Sequence, residues 1–415
     1  MTGNQKYPLV PQLRFPEFRN AGEWFTIELG EISQFVTERA GTTICTPYTI
    51  TSGVGLISQE EKLGRTIAGN SLKNYIILQK NDFAYNKSAT KAYPQGFIAC
   101  YLGDERAAVP NSIFTCFRVN KKLVIPAFLD ALFFNNLHGN WLRNRIAIGA
   151  RAHGSLQVND DDIRAIPIPL PSGSLSLAEQ QKIADCLSSL DELITNESLK
   201  LDRLNTHKNG LMQQLFPRKG ESIARLRFPK FQKDPEWRQV LLGDLCHMQA
   251  GKFIAAADLS EEFSDGLYPC YGGNGLRGYA KKFNRSGRYS LIGRQGALCG
   301  NVNLVDGNFY ATEHAVVTTP KPGVSTDWLY YCLKFLNLNT YATGQAQPGL
   351  SIESLEKVPC VIPQDKDQEE QQKIADCLSS VDDLIAAQSH KVYLLKTWKK
   401  GLMQKLFPKF AEVSI

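Results

Sequence analysis

Taken in alternating steps of four and three from Ile183, the chain presents Leu187, Leu190, Ile194, Glu197, Leu201, Leu204, Lys208, Leu211 and Leu215, eight apolar positions in ten. The same steps from Ile374 present Leu378, Val381, Ile385, Gln388, Val392, Leu395, Lys399, Leu402 and Leu406, again eight in ten. This is the heptad seam of a helix that packs along another helix. The two stretches are copies. EQQKIADCLSSLDELI (Glu179 to Ile194) returns as EQQKIADCLSSVDDLI (Glu370 to Ile385), and KNGLMQQLFP (Lys208 to Pro217) as KKGLMQKLFP (Lys399 to Pro408), both 191 residues on. A single offset leaves no room for an insertion, so each copy is one continuous element. Ser176 with Glu179, and Asp367 with Glu370, have the spacing of capping boxes; Pro217 and Pro408 stop the helices. Asp185, Asp191 and Glu192 come early and Lys200, Arg203 and Lys208 late, the order favoured by the helix dipole. A helix from Glu179 to Pro217 would be roughly 58 Å long at about 1.5 Å per residue, which suits a spacer. Ordinary buried helices or a dimerising coiled coil would share the pattern. If the two seams meet antiparallel, the polar Glu197, Lys208, Gln388 and Lys399 are expected at the rim.

The rest of the repeat argues for the spacer. Leu13 to Phe18 (LRFPEF), followed by Trp24 and Leu29-Gly30-Glu31, returns as Leu226 to Phe231 (LRFPKF), Trp237 and Leu242-Gly243-Asp244, 213 residues on. Its aromatic and proline residues suggest an extended clip that lays Phe15, Phe18 and Trp24, or Phe228, Phe231 and Trp237, on a neighbouring surface. Between clip and helix lie runs that read as strands: 74–79, 96–102, 112–119, 289–293 and 314–319. Residues 126–138 and 326–338 read as helices, and a Pro-rich strand closes each half at 166–171 and 358–363. The expected fold is α/β: two globular domains separated by a pair of long antiparallel helices, in a tandem repeat with pseudo-two-fold symmetry. The boundaries are 1–175 for the first clip and domain, 176–217 for the first long helix, 218–365 for the second clip and domain, 366–408 for the second long helix and 409–415 for a tail. Clips and helices repeat closely, whereas the globular parts share only a skeleton.

Composition excludes more than it identifies. A hydrophobic fraction of 43% and a charged fraction of 21% are ordinary for a globular protein. No run is long and apolar enough for a membrane span, and MTGNQKYPLV lacks the core of a signal peptide, so a cytoplasmic protein without membrane contact is expected. The ten cysteines are scattered without C-x-x-C and read as reduced thiols. A net charge of +6 permits a polyanionic partner without identifying one. The Gly251-Lys252 pair continues into Phe253 and lacks the upstream glycine of a phosphate-binding loop. There is no Pro-Pro pair for an amino-methyltransferase motif, no dinucleotide fingerprint, no His-Glu-x-x-His and no Gly-x-Ser-x-Gly. The chain reads as a binder with no catalytic residues, no metal site and no cofactor of its own.

What it offers a partner is a set of Gly-rich turns with forked polar side chains. The second globular part has Gly273, Asn274 and Arg277 in YGGNGLRGY, and Arg294 and Gln295 in GRQG. Asn86, Lys87 and Ser88 follow a strand in the first as Arg294 and Gln295 do in the second. Before the closing strands come Arg143, Arg145, Arg151 and His153 in the first, and Gln345 and Gln347 in the second. Glycine lets a backbone approach closely, Arg and Gln fork onto base edges, and Asn and Tyr hydrogen-bond phosphates or bases.

With these strings in view, the chain resembles the specificity subunit of type I restriction-modification systems. The duplicated EQQKIADCLSS helices ending in GLMQQLFP and GLMQKLFP are the specific part; LRFPEF, LRFPKF, YGGNG and LIGRQGALCGN extend the likeness over nearly the whole chain. The resemblance implies two target-recognition domains that each read half of a bipartite, asymmetric site in double-stranded DNA. It also implies helices that dock two methyltransferase subunits, with motor-nuclease subunits joining for restriction. S-adenosylmethionine, ATP and Mg would then belong to those partners. A scaffold whose helices space two ligand-binding or protein-binding domains is the alternative.

Overall fold

A computed structural model of the chain describes residues 9–51, 53–148, 156–296, 298–344, 348–364 and 368–408. Both long helices are present, Ser176–Leu215 with 40 residues and Glu369–Leu406 with 38. The chain divides into two compact units, Met1–Asn196 with Val392–Ile415, and Glu197–Lys391. Each unit therefore holds half of each long helix.

In the first unit Ile183, Ala184 and Leu187 share a core with Met403, Leu406 and Phe407. In the second, Met212, Leu215 and Phe216 share one with Ile374, Ala375 and Leu378. The start of one helix meets the end of the other in each unit, so the pairing is antiparallel. Leu190 and Val381 are buried as the heptads require, and Ile194, Leu201, Leu204, Ile385 and Leu395 are half-buried.

Two of the four polar seam positions do not stay at the rim. Lys208 is 8% and Gln388 6% exposed, because each finds a partner inside the seam. Lys208 Nζ lies 2.5 Å from Asp382 Oδ1, whose other oxygen accepts from the Tyr331 hydroxyl at 2.8 Å. The Gln388 amide donates to the Glu197 carbonyl and carboxylate at 2.9 and 2.6 Å, and Lys391 reaches the same carboxylate at 2.6 Å. Lys399 pairs with Asp191 at 2.5 Å. The Gln388 amide and then the Lys391 ammonium hold the Glu197 carboxyl below its usual range.

The capping box at Ser176 is also corrected. Ser176 is the first helical residue, and its hydroxyl accepts from Gln180. The Glu179 carboxylate turns to the clip, taking two hydrogen bonds from Arg14 at 2.7 Å and one from the Trp24 indole at 3.3 Å. Glu370 does the same for Arg227, at 2.7 and 2.8 Å, and for Trp237. Asp367 lies outside the described residues. In each fork-to-fork Arg–carboxylate pair, with both side chains almost fully buried, both carboxylate oxygens accept charge-assisted bonds, which a capping box would not provide. Each clip also bonds the end of a long helix through its backbone, Leu13 N to Lys405 O and Leu226 N to Gln214 O, both at 2.9 Å. Phe18, Trp24, Phe231 and Trp237 are buried as the clip requires.

The two globular parts are built alike. In the first, Ser33–Val36, Phe114–Val119, Asp82–Asn86 and Phe97–Cys100 form an antiparallel sheet in that spatial order. In the second, Cys246–Ala250, Ala315–Pro320, Tyr289–Gly293 and Val302–Val305 do so. A second sheet in each joins a hairpin to a parallel neighbour: Thr46–Thr51 with Gly55–Ser58 beside Ala107–Val109, and Tyr268–Gly272 with Gly275–Ala280 beside Asn308–Ala311. The closing strands Pro167–Leu170 and Pro359–Ile362 pair antiparallel with Phe25–Glu28 and Arg238–Leu241. The helices expected at 126–138 and 326–338 end earlier, as Pro126–Phe134 and Thr326–Phe335. Asn136 and Asn337 follow with φ of 62° and 47°. Asparagine tolerates this left-handed conformation, which ends an α-helix. The chain is an α/β tandem repeat: two globular domains and a pair of long antiparallel helices.

Candidate nucleic-acid interface

In the second domain five turns converge on the ends of the two sheets. Gly272 and Gly275 face each other across the two-residue turn Gly273-Asn274. The strand Tyr289–Gly293 runs into Arg294, whose N–H donates to the His314 carbonyl at 3.0 Å and whose carbonyl accepts from Leu350 N at 2.9 Å. Gly293 is required because a Cβ there would run into the Gly273 carbonyl, and Gly251 because one there would run into that of Ala311. These approaches hold Gly273-Asn274, Arg294-Gln295, Glu313-His314, Lys252-Phe253 and the return at Pro348–Leu350 in one corner. Asn274, Arg277, Gln295 and Lys252 are exposed, and Phe253 is 74% exposed.

The first domain has the same frame with other side chains. Lys87 N donates to the Ile113 carbonyl and Leu156 N to the Lys87 carbonyl, both at 2.9 Å. Lys87 thus occupies the position of Arg294, Asn86 that of Gly293, and Ser112-Ile113 that of Glu313-His314. The Asn86 side chain accepts from Ser88 N at 3.1 Å, bending the loop. Arg143 is exposed just after the helix Leu137–Leu142. Arg145 is committed to the domain itself: its guanidinium lies 3.5 Å above the Trp141 ring, and Nη1 donates to the Trp141 carbonyl at 2.9 Å. Both arginines lead into the hairpin of Ala147–Ile148 with Leu156–Gln157, which returns to Lys87. Arg151, His153, Gln345 and Gln347 lie outside the described residues.

The sequence reading missed Glu313, His314 and Phe253, and considered Lys252 only as a failed phosphate loop. Glu313 Oε1 lies 3.1 Å from His314 Nε2. Glu313 Oε2, His314 Nδ1 and Arg294 Nε are buried atoms without a hydrogen-bond partner. The signal available was a Glu-His pair immediately before an apolar strand; reading 314–319 only as a strand hid it.

Other features lie elsewhere. A groove of about 930 Å³ in the second unit, lined by Phe216, Phe335, Tyr341, Pro359 and others, contains none of the candidate contacts. Among the described residues no group of three or more His, Cys, Asp or Glu is placed to hold a metal ion, and no helix is long and apolar enough to cross a membrane.

A duplicated α/β frame with differing loops, joined to a long helix pair, defines a class of tandem-repeat two-domain proteins. The family model described as type I restriction modification DNA specificity domain matches residues 21–206 and 235–393, and the chain belongs to that family. It is 34% identical over 257 residues to the type I restriction enzyme EcoprrI specificity subunit of Escherichia coli, a match that spans 61% of each chain. It is 24% identical over 268 residues to the type I restriction enzyme MjaVIII specificity subunit of Methanocaldococcus jannaschii, covering 58% of this chain and 61% of that one. In fold it resembles the type I restriction-modification S subunit from M. genitalium, with a TM-score of 0.61 at 15% identity, covering 97% of this chain and 100% of that one. A chain from a structure concerned with complex assembly and conformational transition of the type I R-M system superposes with a TM-score of 0.51 at 21% identity, covering 93% and 97%.

Proposed function

We propose that this chain reads double-stranded DNA at two unlike half-sites, one per globular domain, and that its helix pair docks two methyltransferase subunits. Motor-nuclease subunits join that assembly for restriction. The observation that carries the reading is the shared frame with exchanged side chains: Lys87 and Arg294 are held by the same pair of main-chain hydrogen bonds, yet present different groups. A frame that fixes the backbone and varies the side chain is suited to reading base edges. In support of docking, the second long helix exposes Leu394 and Trp398, 50% and 60% accessible. S-adenosylmethionine, ATP and Mg are proposed to be held by the partner subunits, and this chain supplies specificity without chemistry.

The test is selection of a random duplex pool by the full chain, followed by sequencing of the bound fraction. Two short unlike sequences with a fixed gap are expected, and affinity should fall steeply with rising salt as counterions are released. Enrichment of no motif, with binding indifferent to salt, would favour a protein-binding scaffold.

A further inference from the structure

The corner of the second domain contains three polar atoms that the protein buries and does not pair: Glu313 Oε2, His314 Nδ1 and Arg294 Nε. Buried polar groups are almost always satisfied, so such a cluster calls for an explanation. The atoms belong to neighbouring turns, because Arg294 N–H donates to the His314 carbonyl. Glu313 is held on one side only, by the His314 ring. On a neutral ring with Nε2 donating to that carboxylate, Nδ1 is an acceptor. In the free chain these atoms are closed off from water as well as unpaired, so a partner reaches them only when the half-buried side chains, 31% exposed at Glu313 and 39% at His314, turn outward.

A carboxylate at a DNA-binding surface is repelled by the phosphates unless it meets a hydrogen-bond donor. The donors that DNA displays in the major groove are the exocyclic amino groups of cytosine and adenine. The first domain carries Ser112-Ile113 at the equivalent place, without charge. The acidic pair is therefore not needed by the shared frame.

We propose that Glu313 is a base-reading residue of the second domain, its carboxylate turning outward on binding to accept from the exocyclic amino group of a cytosine or adenine. This rests on the DNA-reading function proposed above. Arg294, in the next turn, supplies the donor for an adjacent acceptor.

The test compares duplex selection by the full chain with that by its Glu313→Gln variant. Gln is nearly isosteric but adds a donor. Preference for an amino-bearing base should relax at one position of one half-site, admitting a keto base, and affinity for the parental site should fall about 5- to 140-fold. The other half-site and the gap should stay as they are, which also verifies that the variant is folded. If Glu313→Gln does not fold, the double variant Glu313→Ser with His314→Ile, which carries the first domain's residues, should lose discrimination at the same position. An unchanged motif, or a uniform loss of affinity on all sequences, would overturn the inference. A parent chain that selects no motif would remove the DNA-reading function, and this inference with it.

Discussion

His138 is fully buried in the first domain, with its Nε2–H donating to the Gly96 carbonyl at 3.2 Å and Nδ1 unpaired. Burial pushes its pKa down to about 4. The folded-state value lies below the unfolded one, so stability is full above pH about 6.5 and is lost as the pH falls toward 4. At pH 4.5 the loss is about 2 to 3 kcal/mol. His138→Gln should remove that part of the pH dependence. Urea midpoints of parent and variant at pH 7.5 and 4.5 would show it, and parallel slopes would contradict it. Arg294→Ala tests the interface at the same scale. A loss of about 1 to 3 kcal/mol with relaxed preference at one position is expected if the guanidinium reads a base. A uniform loss in duplex selection would mean a phosphate contact.

At the scale of elements, the clip and the helix seam divide the stabilisation. Arg14→Ala would take the guanidinium away from the buried Glu179 carboxylate and leave it the Trp24 indole, at a cost of about 3 to 5 kcal/mol, whereas replacing both partners by apolar residues should cost much less. Chemical denaturation of the single and double variants separates the two cases. Leu190→Asp with Val381→Asp would place two carboxylates in the seam, each costing about 3 to 5 kcal/mol if unpaired. Helix pairing should be lost, and with it the methyltransferase docking proposed above, which circular dichroism and gel filtration with a methyltransferase subunit would show. The helices and strands were legible because periodicity, proline stops and repeat offsets are local in the chain. The pairing of Arg14 with Glu179 was not, because its partners are 165 residues apart and Glu179 also fits a capping pattern. The buried Lys208 escaped for the same reason: a polar letter in a heptad does not say whether Asp382 stands opposite. Glu313 and His314 belong to no motif and become visible only when the Gly293 and Gly251 contacts gather their turns.

For the whole molecule, each long helix continues unbroken through both units. If the helices set the gap between half-sites, a four-residue insertion after Lys200 and another after Lys391 would lengthen the pair by about 6 Å and turn one reader relative to the other. The selected gap should change while both half-sequences stay the same. Altered half-sequences with an unchanged gap would mean that the helices are not the ruler.

The main-chain bonds around Lys87 and Arg294 have one more consequence. Both residues are fixed through backbone N–H and C=O groups, which every amino acid except proline carries. At these two positions the main-chain bonds are thus indifferent to the side chain displayed, unlike at Gly293, where a Cβ would run into the Gly273 carbonyl. Descendants of one ancestral domain could drift apart in target without passing through unfolded intermediates. The two halves of this chain, alike in clip and helix and unlike at 87–88 and 294–295, have the pattern that such drift leaves behind.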